Sequence, residues 1–314
     1  MRIIFDFRSG VLILLAVLLT GCAGEDPREA EVGKSEDGIP VVVASNYPLK
    51  YFAETIGAGE IDVRLLVPTD IDPAMWRPTV EDISAMQEAD LILLNGASYE
   101  PWLNIVSLPP SRIVNTTARL ADQLIPVEAD ITHVHGLDGE HEHSGTAFTT
   151  WLDVHLAVGQ MHAIADAYSE RWPHLSATFQ SATANLETEL LALDQELSDL
   201  IGGSQNLPIL FSHPVYQYFE RRYSINGESL HWEPNEMPDD SMWDDLEKLV
   251  IRHPAKWMVW ESEPKPEVVS RLHDVGISSV VYSPAANTPV QGDYMSVMAE
   301  NVTSLADVFS SGHE

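Results

Sequence analysis

The chain has 314 residues, and its 48 acidic and 17 basic side chains give a formal net charge of −31. Such an acidic composition argues against nucleic-acid binding, because phosphates require basic patches on the protein. At about 100 to 200 residues per domain, the length predicts two domains or lobes. Cys22 is the single cysteine, so a disulfide framework and a thiolate metal cluster are both excluded.

The N-terminus has the pattern of an export signal. Arg2 and Arg8 precede an apolar run, residues 11–19, which is too short to span a bilayer and resembles the hydrophobic region of a signal peptide. Residues 19–22, Leu-Thr-Gly-Cys, are similar to a bacterial lipobox, in which the cysteine is acylated. We therefore expect a lipoprotein signal peptide over residues 1–22, lipidation at Cys22 and anchoring to the outer face of a membrane.

The segment after the cysteine, residues 23–38, is rich in Glu, Asp, Gly and Lys and has no aromatic residue. Such a composition is typical of a flexible tether. Strand and helix patterns then alternate over residues 39–172, with β-branched or apolar runs at 40–44 and 89–94. This alternation predicts an N-terminal α/β lobe with a mainly parallel sheet flanked by helices.

A His-rich loop is predicted over residues 132–145. It carries two glutamates and four histidines, namely His133, His135, His141 and His143. Neutral imidazoles and carboxylates are ligands for Zn(II) and, less tightly, Mn(II). The tract predicts metal affinity from its composition rather than from a geometry, and the alternative is an acidic loop without a ligand role.

One long amphipathic helix is predicted over residues 173–203. Apolar residues recur at steps of three and four from Leu175 to Ile201, which places them on one helix face. A coiled-coil seam is the alternative, but this pattern has Phe179 and Ala182 where a seam prefers leucine or isoleucine. We therefore expect a helix that joins two lobes of a monomer.

The alternation of strands and helices restarts in residues 204–314, which predicts a second α/β lobe. His213 stands where an apolar strand, residues 208–212, turns into a helix. Ligands of open α/β sheets bind at the carboxyl ends of the strands, and a cleft between lobes is the default site. His213 is therefore either a ligand or a hydrogen-bonded core residue, and its position alone leaves both open. The acidic residues between 233 and 247 are interpreted as helix-start and solvent-facing charges.

Several motifs carry a resemblance to a known family. They are residues 45–49, 66–68, 72–73, 100–103, 150–153 and 260–261, together with His213 and the His-rich loop. Over most of the mature chain these motifs resemble the solute-binding proteins of zinc and manganese ABC importers. The resemblance implies two α/β lobes joined by one long helix, Zn(II) or else Mn(II) as the transported ion, and an ABC permease with its ATPase as partners.

The chain departs from that family at three ligand positions. By the resemblance, a histidine is expected after Asp72 and Pro73, where this sequence has Ala74. A second histidine is expected at Thr149, and an aspartate at Ser283. Only His213 of the usual ligand set stands where the resemblance places it.

One histidine cannot form a tetrahedral zinc site, so we expect a rebuilt site. It would combine His213 with the loop histidines His133, His135, His141 and His143. Glu261, at the end of a predicted strand, and His155, close to Asp153, are further candidate ligands. Their alternatives are a loop-bracing carboxylate and a surface histidine.

The sequence therefore predicts a lipid-anchored, extracytoplasmic solute-binding protein for a divalent metal ion, without catalytic residues. One alternative is a metal-buffering, adhesion or scaffolding lipoprotein that has lost transport. Another is a zinc-dependent hydrolase, against which the sequence offers no His-Glu-x-x-His helix, no Gly-x-Ser-x-Gly elbow and no phosphate-binding glycine loop.

Overall fold

The computed structural model describes residues 38–127 and 145–310, together with the backbone of two short strands between these ranges. The predicted signal peptide with Cys22, and the tether up to residue 37, lie outside the described residues. Within the described part of the chain, no helix has both the length and the apolar character needed to cross a membrane.

The first lobe is built on a four-stranded parallel sheet with the order β2-β1-β3-β4. Its elements are β1 (Val41–Ala44), α1 (Tyr47–Gly57), β2 (Asp62–Leu65), α2 (Val80–Glu88), β3 (Leu91–Leu94) and β4 (Ile113–Asn115). Every residue of β3 is buried, as expected for a central strand with both faces covered. Thr79 and Asp82 form a capping box that fixes the start of α2.

Two short antiparallel pairs follow the first sheet. They are β5 (Pro126–Val127) with β8 (Gly145–Thr146), and between them β6 (Thr132–Val134) with β7 (Glu140–Glu142). The backbone register places His133 opposite His141. The side chains of the loop lie outside the described residues, and so do His135 and His143 altogether.

The chain continues into α3 (Val154–Arg171) and α4 (Ser176–Ile201) and then forms a second four-stranded parallel sheet with the order β10-β9-β11-β12. The elements of this lobe are β9 (Pro208–Phe211), α5 (Gln217–Tyr223), β10 (Asn226–Ser229), α6 (Asp240–Arg252), β11 (Trp257–Trp260), α7 (Pro266–Asp274), β12 (Ser278–Val281) and α8 (Tyr294–Ser310). The predicted α/β class with two parallel-sheet lobes is confirmed.

The helix α4 lies along one hydrophobic core that serves both sheets. Its buried Phe179, Leu186 and Leu190 belong to the same cluster as Phe52 of α1 and Phe211 of β9. It packs against α1 and α3, and also against α5 and α8 of the second lobe. The predicted long helix is thus present, whereas the domain limits at residues 172 and 204 stay a prediction, because the two lobes share this core.

The first and last described helices also meet. The helix α8 packs against α1, where the ring of Tyr294 lies 5.3 Å from that of Phe52 and 5.5 Å from that of Tyr51, measured between centroids. The buried face of α1 is therefore completed by residues from the far end of the chain.

A buried carboxylate lies at the carboxyl edge of the first sheet and bonds to the ends of two strands. Glu100 is 5% exposed and accepts hydrogen bonds from Ser45 Oγ (2.6 Å) and from the backbone N–H groups of Asn95 (2.6 Å) and Gly96 (3.1 Å). Ser45 follows β1 and Asn95 follows β3, so the carboxylate ties two neighbouring strands together. Burial outweighs these donors and raises the pKa of Glu100 to about 7.

This pKa predicts that stability falls as pH rises. The folded carboxyl keeps its proton up to a pH of about 7, whereas the unfolded one loses it near its ordinary value of 4.5. Between these values the folded state binds more protons, so the free energy of unfolding decreases with increasing pH. Between pH 5 and pH 8 the decrease amounts to about 2 to 3 kcal/mol for this one group. Denaturant unfolding at pH 5 and pH 8 measures it.

The matched variant is Glu100→Gln, which has no titrating proton. Glu220, whose pKa is also raised to about 7 by burial and by Glu228, gives a change of the same sign in both proteins. The difference between wild type and variant therefore isolates Glu100. A pH dependence that is identical in the two proteins would contradict the prediction.

Candidate metal centre

Three side chains converge where three neighbouring strands of the second sheet end. His213 follows β9, Glu233 follows β10 and Glu261 follows β11. One ligand atom from each residue lies within 4.8 Å of the other two, and His213 Nδ1 is 3.2 Å from Glu233 Oε1. Parallel strands present their carboxyl ends at one edge, and this edge is the usual ligand-binding side of an α/β sheet.

Backbone hydrogen bonds continue past the strand ends and hold these segments in place. The N–H of Ser212 donates to the carbonyl of Val259 (2.9 Å), and the N–H of Trp232 donates to the carbonyl of Ser212 (2.7 Å). Further out, the N–H of Lys265 donates to the carbonyl of Pro234 (3.1 Å). The three side chains are therefore placed by the sheet and its extensions rather than by free loops.

The alternation of side chains along these segments explains why the three groups meet. Trp232 and Trp260 are buried in the core on the α6 side of the sheet. Successive residues of an extended chain point to opposite faces, so Glu233 and Glu261 point to the other face. His213 shares that face, because Phe211, two residues earlier, belongs to the core along α4.

The site is partly shielded from solvent and negatively charged. The His213 side chain is 12% exposed and that of Glu233 is 28% exposed. Burial, and after it the charge of Glu261, raises the pKa of the neighbouring Tyr216 well above its ordinary value. One imidazole nitrogen and two carboxylate oxygens form a donor set that a divalent cation would both bind and neutralise. Such a set leaves coordination positions open for a further ligand or for water.

The three positions where the family resemblance placed ligands have structural roles instead. Ala74 is a core residue of the first lobe. The hydroxyl of Thr149, which is 4% exposed, donates to the carbonyl of Val215, two residues after His213. Ser283 donates its N–H to Asn301 Oδ1 (2.8 Å).

Direct hydrogen bonds join the lobes beside the site. Trp151 Nε1 donates to the carbonyl of Pro284 (2.7 Å). Asn287 Nδ2 donates to the carbonyls of Pro68 and Ile71, each at 2.7 Å. The segment that follows β12 is thus bonded to the first lobe, while the three converging side chains all come from the second.

The other predicted ligands are placed differently. His155 lies on the exposed side of α3, where its Nε2 is 2.9 Å from Arg222 Nη2 and 3.5 Å from Asp194 Oδ2. The side chains of the loop histidines lie outside the described residues. Of the predicted ligands whose side chains are described, the structure therefore brings His213 and Glu261 together.

Glu233 was missed by the sequence analysis, which interpreted it as part of a solvent-facing acidic run. The reason lies in β10, whose residues 226–229 read Asn-Gly-Glu-Ser and have no apolar run. Because that strand was not predicted, Glu233 could not be placed at the sheet edge. The buried Trp232, which fixes the face of its neighbours, was the one available signal.

Comparison with known proteins supplies independent evidence on the family of the chain. The sequence model of one family, described as the periplasmic zinc-uptake complex component A (ZnuA), matches residues 42–308. The zinc-binding protein AdcA of Streptococcus pyogenes is 23% identical over 288 residues, which cover 86% of this chain and 56% of AdcA. The manganese-binding lipoprotein MntA of Halalkalibacterium halodurans is 26% identical over 327 residues, which cover 99% and 98%. The chain thus spans little more than half the length of the streptococcal relatives.

Solved structures show the same fold. The metal-dependent lipoprotein YcdH of Bacillus subtilis superposes with a TM-score of 0.72 at 20% identity, covering 85% of this chain and 98% of YcdH. Zn(II)-bound AdcA of Streptococcus pneumoniae gives a TM-score of 0.72 at 17% identity, covering 86% of this chain and 57% of AdcA.

The hydrogen bond between Thr149 and Val215 predicts a specific loss of stability. In Thr149→Val the hydroxyl donor disappears and the partly buried carbonyl of Val215 loses its partner, which we expect to cost about 1 kcal/mol. Thr149→Ser keeps the hydroxyl and serves as the control. Denaturant unfolding measures both variants, and equal losses in the two would contradict a role for this hydrogen bond.

Proposed function

The chain belongs to the family of periplasmic zinc-uptake complex component A proteins, and on this premise we propose that it captures a divalent metal ion outside the cytoplasmic membrane for delivery to an ABC importer. The observation that carries the proposal is the convergence of His213, Glu233 and Glu261 at the edge of the second sheet. The ion is cargo, so a partly exposed site with open coordination positions suits both capture and release.

We propose Zn(II) as the main cargo, with Mn(II) as its competitor. Two carboxylates accept either ion, whereas imidazole favours zinc. The histidines of the loop, His133, His135, His141 and His143, are one candidate source of a further imidazole. The described segment that follows the loop is bonded to the second lobe, because the carbonyl of Ala147 accepts a hydrogen bond from Tyr218 (2.8 Å) and Thr149 bonds to Val215.

Delivery of the ion requires a transporter as partner and a means of keeping the protein close to it. We propose an ABC permease with its ATPase as the partner, and a lipid anchor at Cys22 that keeps the protein beside them. The names of MntA and of AdcA from Streptococcus pneumoniae, which both include the word lipoprotein, support this anchor, and so do residues 19–22 of this chain.

A second candidate function is a lipoprotein that buffers metal without delivering it. The observation in its favour is the loss of the ligand positions at Ala74, Thr149 and Ser283, together with the direct bonds between the lobes. A zinc hydrolase is less compatible with the site, because both carboxylates would serve as ligands and leave none of the three groups as a general base.

The proposal predicts one tight metal site that depends on the three residues. Isothermal titration of Zn(II) and Mn(II) into the metal-free protein should give near one-to-one binding of zinc. His213→Ala, Glu233→Gln and Glu261→Gln should each weaken zinc binding by about tenfold or more, because each removes one ligand.

The matched control is His162→Ala. His162 Nε2 lies 3.3 Å from Glu187 Oε2, a histidine–glutamate pair of almost the same spacing on another surface, and its loss should leave zinc affinity unchanged. A variant with residues 133–143 replaced by glycine and serine tests the loop. If only that variant loses zinc, the site at the sheet edge is refuted; if the wild type binds no metal, the proposed function is refuted.

The delivery function and the buffering function predict different rates of zinc uptake by cells. Cells that express the protein together with an importer should accumulate radioactive zinc faster than cells with the importer alone, and Glu233→Gln should remove the gain. A protein that binds zinc tightly but leaves uptake unchanged would favour the buffering function.

A further inference from the structure

The segment after β10 presents a second histidine to the site. Residues 230–233 run alongside the end of β9, and the N–H of Trp232 bonds to the carbonyl of Ser212 (2.7 Å) as in a strand. Trp232 is buried, so the alternation of side chains places His231 on the same face as Glu233. His231 is exposed and lies two residues before a carboxylate of the site.

The two imidazole rings are already close. The centroids of His213 and His231 are 6.0 Å apart, with an angle of 88° between the ring planes. With Zn–N distances of about 2.0–2.1 Å and a tetrahedral angle, two imidazoles on one zinc ion have centroids ~5 Å apart. The atoms that converge within 4.8 Å belong to His213, Glu233 and Glu261, so a ring nitrogen of His231 reaches the same ion only after its exposed side chain rotates.

We infer that His231 is the fourth ligand of the proposed site, which gives a tetrahedral set of two imidazoles and two carboxylates from His213, His231, Glu233 and Glu261. The inference rests on the proposed function and deepens it by naming the residue that sets metal preference. All four ligands come from the carboxyl edge of one sheet, so metal capture needs no ligand from the first lobe.

The second imidazole determines whether the site prefers Zn(II) or Mn(II). With His213 alone the site has one nitrogen and two oxygens, an oxygen-rich set that accepts Mn(II), although a given set of ligands generally binds Zn(II) more tightly. A second nitrogen and a tetrahedral arrangement favour zinc, since Zn(II) takes four-coordinate nitrogen and oxygen sites readily whereas Mn(II) prefers six oxygen-rich positions. His231 thus acts as the specificity-determining ligand.

Exposure gives His231 a further role in exchange of the ion. It is the ligand at the solvent side, whereas His213 is mostly buried. The ion therefore enters and leaves the site on the side of His231. The imidazole of His231 has to be neutral to bind the ion.

The test uses Co(II) as a spectroscopic substitute for zinc in the full purified chain. Tetrahedral Co(II) absorbs visible light far more strongly than six-coordinate Co(II). Wild type should show the intense bands. His231→Ala should lose most of this intensity, bind zinc about tenfold or more weakly and bind Mn(II) nearly unchanged, so that the zinc-to-manganese preference falls. Added imidazole should restore the bands, because it refills the vacated position.

Two controls make the result specific. His174→Ala removes an exposed histidine just before α4 and should change neither the Co(II) bands nor zinc affinity. The loop is the competing source of the fourth ligand. The variant with residues 133–143 replaced by glycine and serine should therefore keep the bands if His231 is that ligand. Thermal unfolding in the presence of a chelator confirms that each variant is folded.

The outcomes separate the inference from the function on which it rests. If the loop variant loses the bands and His231→Ala keeps them, the loop supplies the fourth ligand and the inference is overturned, while the proposed function stands. Equal losses of zinc and manganese in His231→Ala without rescue by imidazole indicate a structural role and also overturn it. If the wild type binds neither Co(II) nor Zn(II), the proposed function itself fails.

Discussion

The packing of α4 against helices of both lobes is the constraint on which the rest of the structure depends. Its apolar face, with Phe179, Leu186 and Leu190 fully buried, supplies one core to both lobes. Burying one such side chain contributes about 1.5 to 3 kcal/mol, so a shift of the helix would be costly for either sheet. The orientation of the second sheet, and with it the edge that carries His213, is thereby fixed.

The sequence predicted most of this architecture and only part of the site, for physical reasons. The period of α4 and the buried run of β3 are regular enough to predict their elements directly. His213 and Glu261 were identified because each follows an apolar strand. Glu233 and His231 follow β10, whose polar residues 226–229 give no strand signal. Their proximity to His213 arises from backbone pairing between segments separated along the chain, which residue spacing alone does not contain.

The candidate site differs from the pattern of its family in where its donors come from. At one of the positions where the resemblance placed a ligand, Thr149 instead makes a hydrogen bond to Val215 that joins the two lobes. The positions that supply donors all lie at strand ends of the second sheet. A site confined to one sheet is pre-organised by backbone hydrogen bonds, and a bound ion need not draw two lobes together. The direct contacts between Asn287 and the first lobe are consistent with such a site, because they join the lobes independently of any ligand.

The contact between α1 and α8 has a consequence for how the chain folds. Phe52 and Tyr51 pack on Tyr294, so the apolar face of α1, which is synthesised early, is completed only after α8 has been synthesised. Contacts between residues so far apart in sequence close late and slowly, since loop-closure entropy has to be overcome first. Part of the apolar surface of α1 is therefore exposed until α8 has been synthesised, and exposed apolar surface is the condition under which chains aggregate. Keeping the chain from associating until α8 has been synthesised would protect it during that interval.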